Sequence, residues 1–237
     1  MVEIIPSVNV SNFEELKERL KLVEPLTKWA HLDVSDGVFT KYVSWHEPKD
    51  LVGFKTKLKL EVHLMIDQPE REIEEWLIKP VNRVIFHQEA TKEHQFLINK
   101  IHEAKKEAGI AIKPDTPWLK LFPYINKVDI FQLLAVSPGP SGQEFSEEIF
   151  HKIGHIRHVA PHAIIEIDGG VNKSVARRCI TEGAKLLVAG SYKSVARRCI
   201  TEGAKLLVAG SYLFNSKNIK KAIEELKNYA PPTRIKN

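Results

Sequence analysis

Short apolar runs rich in β-branched residues recur along the chain, separated by stretches in which apolar residues return every three or four positions. The runs have the length of buried strands, and the wider spacing is typical of amphipathic helices. Strands are predicted at residues 4–7, 30–34, 60–64, 84–87, 110–112, 131–136 and 164–167, and at one copy of a Leu-Leu-Val-Ala run. Helices are predicted at 12–26, 70–78, 93–108, 147–159 and 218–228, the first opening with a capping box formed by Ser11 and Glu14.

The alternation of strands and helices indicates parallel βα units. A count of eight strands favours a closed (β/α)8 TIM barrel in the α/β class over an open sheet. No GxGxxG follows the first strand, which argues against a dinucleotide-binding fold. We therefore predict a single barrel domain over residues 1–237.

A perfect tandem repeat interrupts this pattern: KSVARRCITEGAKLLVAGSY at 173–192 recurs at 193–212. Each copy reads as a helix followed by a short strand, and the exactness of the doubling indicates a recent or engineered duplication. Cys179 and Cys199 are equivalent positions in the two copies, so no disulfide framework is implied. A nine-stranded barrel is disfavoured because strand number, tilt and shear must change together. We expect one copy to be an excursion, with a slight preference for the second copy in the native place.

The spare helix of the repeat has an apolar face that must be covered within the barrel or by a partner chain. A homo-oligomer formed through this face is therefore one predicted outcome. No apolar stretch approaches the length of a membrane span, and the opening MVEIIPSVNV lacks the basic region of a secretory signal, so we expect a cytoplasmic protein. The net charge of +5 is spread along helix faces, which favours small anionic ligands over nucleic acid.

Polar residues stand out at the ends of three predicted strands. The period of a strand places His31 and Asp33 on one face, His63 belongs to the third strand, and Asp168 ends the seventh. Imidazoles and carboxylates meeting at the barrel mouth suit a divalent ion such as Zn, Fe, Mn or Co. The alternative is that each histidine is a hydrogen-bonded core residue. Asp36-Gly37 and Asp168-Gly169 can likewise be simple turns.

Glycine-rich loops follow the sixth, seventh and eighth predicted strands. In parallel barrels, backbone N–H groups at these positions commonly hold a phosphate group. The candidate residues are Gly139, Gly142, Gly169, Gly170, and Gly210 with Ser211, or Gly190 with Ser191 if the first copy is native.

An ordered set of motifs resembles the ribulose-phosphate 3-epimerase family across nearly the whole chain. The motifs are Pro6-Ser7, HLDVSDG at 31–37, EVHLM at 61–65, FHQEAT at 86–91, AIKPDT at 111–116, VSPGPSGQEF at 136–145, EIDGGVN at 166–172 and VAGS. Without one repeat copy, the chain has the typical length of that family.

The resemblance implies an isomerase of the pentose phosphate pathway that interconverts D-ribulose 5-phosphate and D-xylulose 5-phosphate at C3. In this family, the aspartates matching Asp33 and Asp168 exchange the C3 proton on opposite faces of an enediolate. His31, Asp33, His63 and Asp168 would bind the metal, and Ser7 and His63 would contact the substrate.

The chain departs from the family at three places. Ser35 and Leu134 stand where the family usually has methionine, and Pro140 removes a backbone donor from the phosphate-side loop. Two alternatives stay open: an epimerase for another ketose phosphate such as a hexulose 6-phosphate, and a non-catalytic or engineered barrel whose phosphate site the duplication perturbs. A related decarboxylase is disfavoured because residues 33–36 lack the lysine of its D-x-K-x-x-D motif.

Overall fold

The fold was analysed in a computed structural model that describes residues 3–138, 145–169, 184, 186–189, 206–209 and 211–227. Parallel strands within these ranges join edge to edge in a closed order from β1 to β9. Their bounds are Glu3–Val8, Trp29–Ser35, Lys59–Met65, Val81–His87, Glu107–Ile112, Ile130–Leu134, Ile164–Asp168, Leu186–Ala189 and Leu206–Ala209. The α/β class and the parallel, curled sheet are therefore confirmed.

The strand count differs from the prediction, because both Leu-Leu-Val-Ala runs lie in the barrel wall. In the described ranges, nine strands replace the expected eight, and neither copy's strand is an excursion. β8 pairs with β7 through Leu186 and Glu166, β9 pairs with β1 through Leu206 and Glu3, and the two copies pair with each other. The two identical runs pair in register, from Leu186 with Leu206 to Ala189 with Ala209.

Helices and short 3₁₀ segments connect the strands. The helices α1 to α6 span Phe13–Val23, Ile73–Trp76, His94–Glu103, Glu148–Val159, Ser211–Phe214 and Ile219–Lys227. The 3₁₀ segments are Pro48–Leu51, Pro69–Arg71, Gln88–Ala90 and Trp118–Tyr124. None of the helices in these ranges combines the length and the apolar character that crossing a bilayer requires.

Three local predictions were wrong. The helix predicted at 93–108 ends at Glu103, and residues 107 and 108 already belong to β5. The N-cap of α1 is Asn12, whose side chain accepts from the backbone N–H of Glu15 at 2.9 Å, so the capping box at Ser11 does not form. The helix predicted at 70–78 is a 3₁₀ turn followed by the single turn α2. Gln68, with φ at +50°, and Pro69 start this segment and leave room for little more than one turn.

The barrel has two layers of buried side chains. Apolar residues on the outer face of the strands pack against the helices and form the larger core. The inner face holds a smaller apolar cluster of Ile85, Ala111, Ile130 and Leu134. Polar side chains occupy the rest of the interior and are almost completely buried; they are His31, Glu61, His63, Arg83, His87, Gln132 and Glu166. A buried polar layer of this size requires specific partners, which define the candidate site.

Candidate metal centre and active site

Four predicted site residues meet at the C-terminal end of the strands. His31 and Asp33 lie on β2, His63 on β3 and Asp168 at the end of β7, and each offers an atom to a common cluster within 4.8 Å. The two imidazoles are fully buried, whereas the side chains of Asp33 and Asp168 are 15% and 18% exposed. The carboxylates therefore face the barrel mouth, and the imidazoles close the cluster from below.

The spacing of these atoms fits a single divalent ion. Atoms bound tetrahedrally at about 2.0–2.1 Å from one ion lie about 3.4 Å from each other. Asp33 Oδ1 lies 3.2 Å from both His31 Nε2 and His63 Nδ1, and His63 Nδ1 lies 3.5 Å from Asp168 Oδ2. Two nitrogen and two oxygen donors suit Zn, Fe, Mn or Co, so the residues fit the predicted metal.

Each histidine has an outer partner that orients its ring. His31 Nδ1 lies 2.6 Å from Glu61 Oε1, which accepts its proton and leaves Nε2 for the cluster. His63 uses the opposite nitrogen, because its Nε2 lies 2.9 Å from His87 Nε2 while Nδ1 faces the cluster. His87 Nδ1 in turn lies 3.2 Å from Glu89 Oε2. These networks assign the His31 proton to Nδ1 and the His63 proton to Nε2 when a metal is bound.

The two aspartates have opposite protonation preferences. Burial disfavours the charge of Asp33, but His31 and His63 outweigh burial and hold the pKa of Asp33 well below its usual value. Burial and the charge of Asp33 raise the pKa of Asp168. Burial lowers the pKa of His31, yet Asp33 and Glu61 more than compensate, so the His31 pKa lies well above its usual value. A metal ion would displace that imidazole proton on binding.

Asp168 is held by the backbone after β7 and by a neighbouring amide. Gln132 Nε2 donates to Asp168 Oδ2 at 3.3 Å and to Glu166 Oε1 at 3.2 Å. Gly169 follows at φ +86°, where a Cβ would come within 2.3 Å of Val136. This position thus requires glycine, and the predicted turn is confirmed.

The structure describes only some of the other predicted site residues. Ser7 donates to Asp33 Oδ2 at 3.0 Å, so it holds a site carboxylate, and its substrate contact stays a prediction. Gly139, Gly142, Gly170, Gly190, Ser191 and Gly210 lie outside the described residues. Ser211 is the first residue of α5, and its phosphate role is likewise untested.

Ser35 and Leu134, which stand where the family usually has methionine, both lie in the described part of the structure. Both are buried, and Ser35 shares a hydrogen bond of 2.9 Å with Thr40. Leu134 belongs to the apolar cluster inside the barrel. Asp36 caps the loop after β2 by accepting from Val38 and Phe39, and Gly37 has φ +78°, so the predicted turn is confirmed there too.

The supporting residues were missed in the sequence, although a signal was present. Glu61 precedes His63 by two positions and Glu166 precedes Asp168 by two, so each shares a strand face with a predicted ligand. A charged residue at this spacing in an otherwise apolar strand points into the barrel. His87 on β4 and Gln132 on β6 are also polar residues in apolar strands, and each shares a strand face with residues of the inner apolar cluster.

A cavity of about 430 Å³ opens beside the cluster, between the loops after β2, β5 and β6. Its lining includes Phe39, Lys41 and Lys113. The Lys113 ammonium lies 3.9 Å from the centre of the Phe39 ring, and that ring lies 4.7 Å from the ring of His87. The Lys113 ammonium is therefore linked through the rings of Phe39 and His87 to His63, a proposed metal ligand.

Solved structures share the fold at low sequence identity. The chain is similar to 3-hexulose-6-phosphate synthase from Salmonella typhimurium with a TM-score of 0.63 at 10% identity, covering 96% of this chain and 98% of that one. It is also similar to a mutant tryptophan synthase alpha-subunit from Pyrococcus furiosus, with a TM-score of 0.60 at 14% identity over 95% and 97% of the two chains. These similarities support the barrel fold alone.

Sequence comparisons are more specific. The chain is 33% identical over 198 residues to ribulose-phosphate 3-epimerase from Bacillus subtilis, covering 81% of this chain and 91% of the relative. It is 30% identical over 200 residues to the Schizosaccharomyces pombe enzyme of that name, covering 80% and 85%. The sequence model of the ribulose-phosphate 3 epimerase family matches residues 3–194, most of the chain. The chain belongs to the ribulose-phosphate 3-epimerase family.

Proposed function

We propose that this protein is a metal-dependent epimerase that interconverts D-ribulose 5-phosphate and D-xylulose 5-phosphate by moving the proton at C3. The relatives that carry the epimerase name match about four fifths of the chain. The observation that carries the proposal is the pair Asp33 and Asp168, two carboxyl groups from different strands that lie 3.2 and 3.5 Å from His63 Nδ1 at the barrel mouth. Inversion at a carbon atom requires one proton-accepting and one proton-donating group on opposite faces.

The two aspartates have different environments in the metal-free chain. His31 and His63 lower the pKa of Asp33, which favours Asp33 as a proton acceptor. Burial and the charge of Asp33 raise the pKa of Asp168, so Asp168 is the group that takes up a proton more readily and is proposed to exchange it on the other face of C3. Environments that separate the pKa values of two carboxyl groups are typical of acid–base pairs. In the reverse reaction the two residues exchange roles.

His31, Asp33, His63 and Asp168 would hold the ion. Bound there, a divalent cation stabilises negative charge on the oxygens next to the reacting carbon, which makes the C3 proton acidic enough to be removed. Ser7 keeps Asp33 oriented through its 3.0 Å hydrogen bond, and Gln132 does the same for Asp168. The protein thus positions both proton-transfer groups before substrate arrives.

The substrate class follows from the charge around the mouth. Lys41 and Lys113 line the cavity beside the cluster and favour an anionic ligand such as a sugar phosphate. The glycine loops after β6 to β9 are proposed to hold the phosphate group. We also propose that the protein is cytoplasmic and that it self-associates through the repeat.

Solvent exchange at C3 tests the acid–base assignment directly. The metal-loaded protein is incubated in D₂O with each pentulose 5-phosphate in turn, and NMR follows both epimerisation and loss of the C3 proton signal. We expect Asp33→Asn and Asp168→Asn each to reduce epimerisation by about 100- to 10,000-fold. Each variant should still exchange the C3 proton of one epimer, and the two variants should serve different epimers. Asparagine retains one side-chain oxygen that can bind a metal. The metal content of each variant is therefore measured together with its activity.

The matched control is Asp129→Asn, which changes an aspartate just before β6, at the opposite end of the barrel. This variant should keep full activity. If both site variants exchange both epimers, the two-carboxylate assignment is wrong. Turnover of a hexulose 6-phosphate, without turnover of either pentulose 5-phosphate, would show that the hexulose phosphate is the substrate. No turnover of either sugar by metal-loaded protein would contradict the proposed activity and favour a non-catalytic barrel.

A further inference from the structure

A row of alternating charges crosses the barrel wall below the metal site. His31, Glu61, Arg83 and Glu107 are register partners on the consecutive strands β2, β3, β4 and β5. His31 Nδ1 lies 2.6 Å from Glu61 Oε1, and Arg83 donates from its NH1 group to Glu61 Oε2. Arg83 Nε donates to Glu107 Oε2 at 2.6 Å. The row connects a proposed metal ligand to the solvent-exposed start of β5.

A backbone irregularity turns Val81 away from the face that carries Arg83. Leu60 pairs with Val81, but the next residue, Glu61, pairs with Arg83, so one residue of β4 is bulged out. Val81 consequently packs in the outer core, while Arg83 faces the interior. Bulges commonly redirect a side chain in this way. The guanidinium also packs over the ring of Trp29 at 4.8 Å.

Because the inner members of this row are buried, each charged side chain depends on its neighbour for stabilisation. Glu61 and His31 have no exposed surface, and Arg83 is 5% exposed. A buried carboxylate is strongly destabilising unless it is paired and hydrogen-bonded. Arg83 supplies that pairing, and it leaves the second carboxylate oxygen of Glu61 for His31. Glu107, whose side chain is 44% exposed, balances Arg83 at the outer end.

Glu61 does not serve as a metal ligand in this arrangement. His31, Glu61 and Glu166 also form a close group of donor atoms. However, the 2.6 Å between His31 Nδ1 and Glu61 Oε1 is a hydrogen-bond distance, shorter than the roughly 3 Å that two ligands of one ion require. A proton occupies this position, and the metal-facing nitrogen of His31 is Nε2.

We infer that Glu61, with its charge fixed by Arg83, is a positioning residue that presents His31 Nε2 to the metal and strengthens its binding. A carboxylate acceptor orients the ring and increases the electron density of the ligating nitrogen. The inference rests on the metal-ligand role of His31 in the proposed function. It assigns a role to two residues, Glu61 and Arg83, that do not touch substrate or metal.

Zinc affinity of the full chain tests the inference, measured by competition with a chromophoric chelator. Glu61→Gln keeps the size and one acceptor oxygen but removes the charge. We expect it to weaken zinc binding by about 10- to 100-fold, whereas the control Glu107→Gln should change zinc affinity less than about threefold. Replacing Glu107 removes a carboxylate from the same row without touching His31.

A spectroscopic readout separates positioning from a general loss of structure. In zinc-loaded protein labelled with ¹⁵N-histidine, the His31 Nδ1 proton should resonate far downfield, because its acceptor is charged. Glu61→Gln should move that signal upfield, and Glu107→Gln should leave it in place. If Glu61→Gln fails to fold, Glu61→Gln/Arg83→Met removes both buried charges and should show the same loss of affinity.

The outcomes distinguish this inference from the proposed function. If the unaltered protein binds no zinc, the metal role in the proposed function fails. If it binds zinc and a folded Glu61→Gln protein binds it within threefold of the same affinity, with the His31 signal unmoved, the positioning role of Glu61 is wrong.

Discussion

The strands on the two sides of the barrel wall differ in length. β2, β3 and β4 are seven residues long, and β2 pairs with β3 through seven register partners. β8 and β9 are four residues long and pair residue by residue with their own duplicate. The long strands carry His31, Asp33 and His63 with their outer partners. Asp168, at the end of β7, is the one proposed ligand that borders the repeat.

This difference separates two parts of the proposed site. The metal side depends on unique side chains in a fixed register, so single substitutions should affect it strongly. The repeat side presents the same apolar run twice, and a strand register with identical partners is weakly specified. We therefore expect the chemistry on β2 and β3 to be sensitive to point changes, and the β7–β1 side to tolerate a change as large as a whole strand.

The largest effect should come from His63→Ala. This change removes a proposed ligand atom that lies 3.2 Å from Asp33 and 3.5 Å from Asp168, and it removes the hydrogen-bond partner of His87 Nε2. We expect zinc affinity to fall more than about 100-fold and epimerisation to fall at least as far. Calorimetric titration with zinc and the C3 assay measure the two effects. The control is His102→Ala, which removes an exposed histidine paired with Asp129; equal effects in both variants would disprove the assignment.

Sequence patterns were sufficient to predict that the four proposed ligands come together, because strand period fixes the face on which each side chain lies. Strand period also places Arg83 on the inner face of β4 with Ile85 and His87, but it does not reveal that Glu61 is the partner of Arg83, because that depends on the register between β3 and β4. Strand period also misplaces Val81, which the bulge turns into the outer core. Partners in such a row depend on tertiary pairing, which local sequence does not encode.

The strand count was mispredicted for a related reason. A barrel of eight strands was expected because closure links strand number to tilt and shear. That argument overlooked that identical strands can pair in register without any shift, as Leu186 with Leu206 and Val188 with Val208 show. Composition and period locate strands, but the number that close a ring depends on how their edges match.

A second test on the well-specified side is Gly109→Ala. Gly109 lies in register between Ile85 on β4 and Ile130 on β6, and a Cβ would come within 2.5 Å of Ile130 Cγ2 and 2.8 Å of Ile85 Cγ1. We expect a loss of about 1–3 kcal/mol in the free energy of unfolding, measured with urea. Adding Ile130→Ala frees the space, so the double variant should lose less than the sum of the two single variants. Simple additivity would show that the wall relaxes easily here.

Glu89 ties the loop after β4 to the loop after β5, and its contribution should depend on pH. It accepts from the Lys113 backbone at 2.8 Å and from Thr116, and it lies 3.2 Å from His87 Nδ1. Burial raises its pKa, but His87, Thr116 and Lys113 outweigh burial and lower the pKa to about 2. A carboxylate with a lowered folded-state pKa stabilises the fold above its ordinary pKa, and this stabilisation is lost as the pH falls toward 2.

Glu89→Gln should therefore cost roughly 2 kcal/mol of unfolding free energy near pH 7, and less as the pH falls below about 4.5. Urea unfolding of metal-free protein at several pH values measures the difference. Glu103→Gln, at the exposed end of α3, is the control and should stay within about 0.5 kcal/mol of the unaltered chain. A difference that does not change with pH would mean that Glu89 acts through its shape and not its charge.

The mildest effect is expected from removing a whole repeat copy. Because the copies are identical, deleting 173–192 or 193–212 gives one and the same chain of 217 residues, so a single variant tests both assignments of the native copy. The two copies divide the partners that the remaining run would need: β8 pairs with Glu166 and Ile167 of β7, and the identical β9 pairs with residues 3–6 of β1. We therefore expect it to bridge β7 and β1 in the same register and to close an eight-stranded ring.

The ring becomes narrower by one strand on the side where β7 carries Asp168, while β2 and β3 keep their neighbours. We expect zinc affinity to stay within about threefold, and kcat/KM for the pentulose phosphate to rise about tenfold, because the loops proposed to hold the phosphate would then follow the strands of an eight-stranded ring. Parallel zinc titrations and kinetics on the two chains measure both. A change in zinc affinity without a kinetic change would place the effect of the duplication on the metal side, and would contradict the separation between the unique and the repeated halves of the wall.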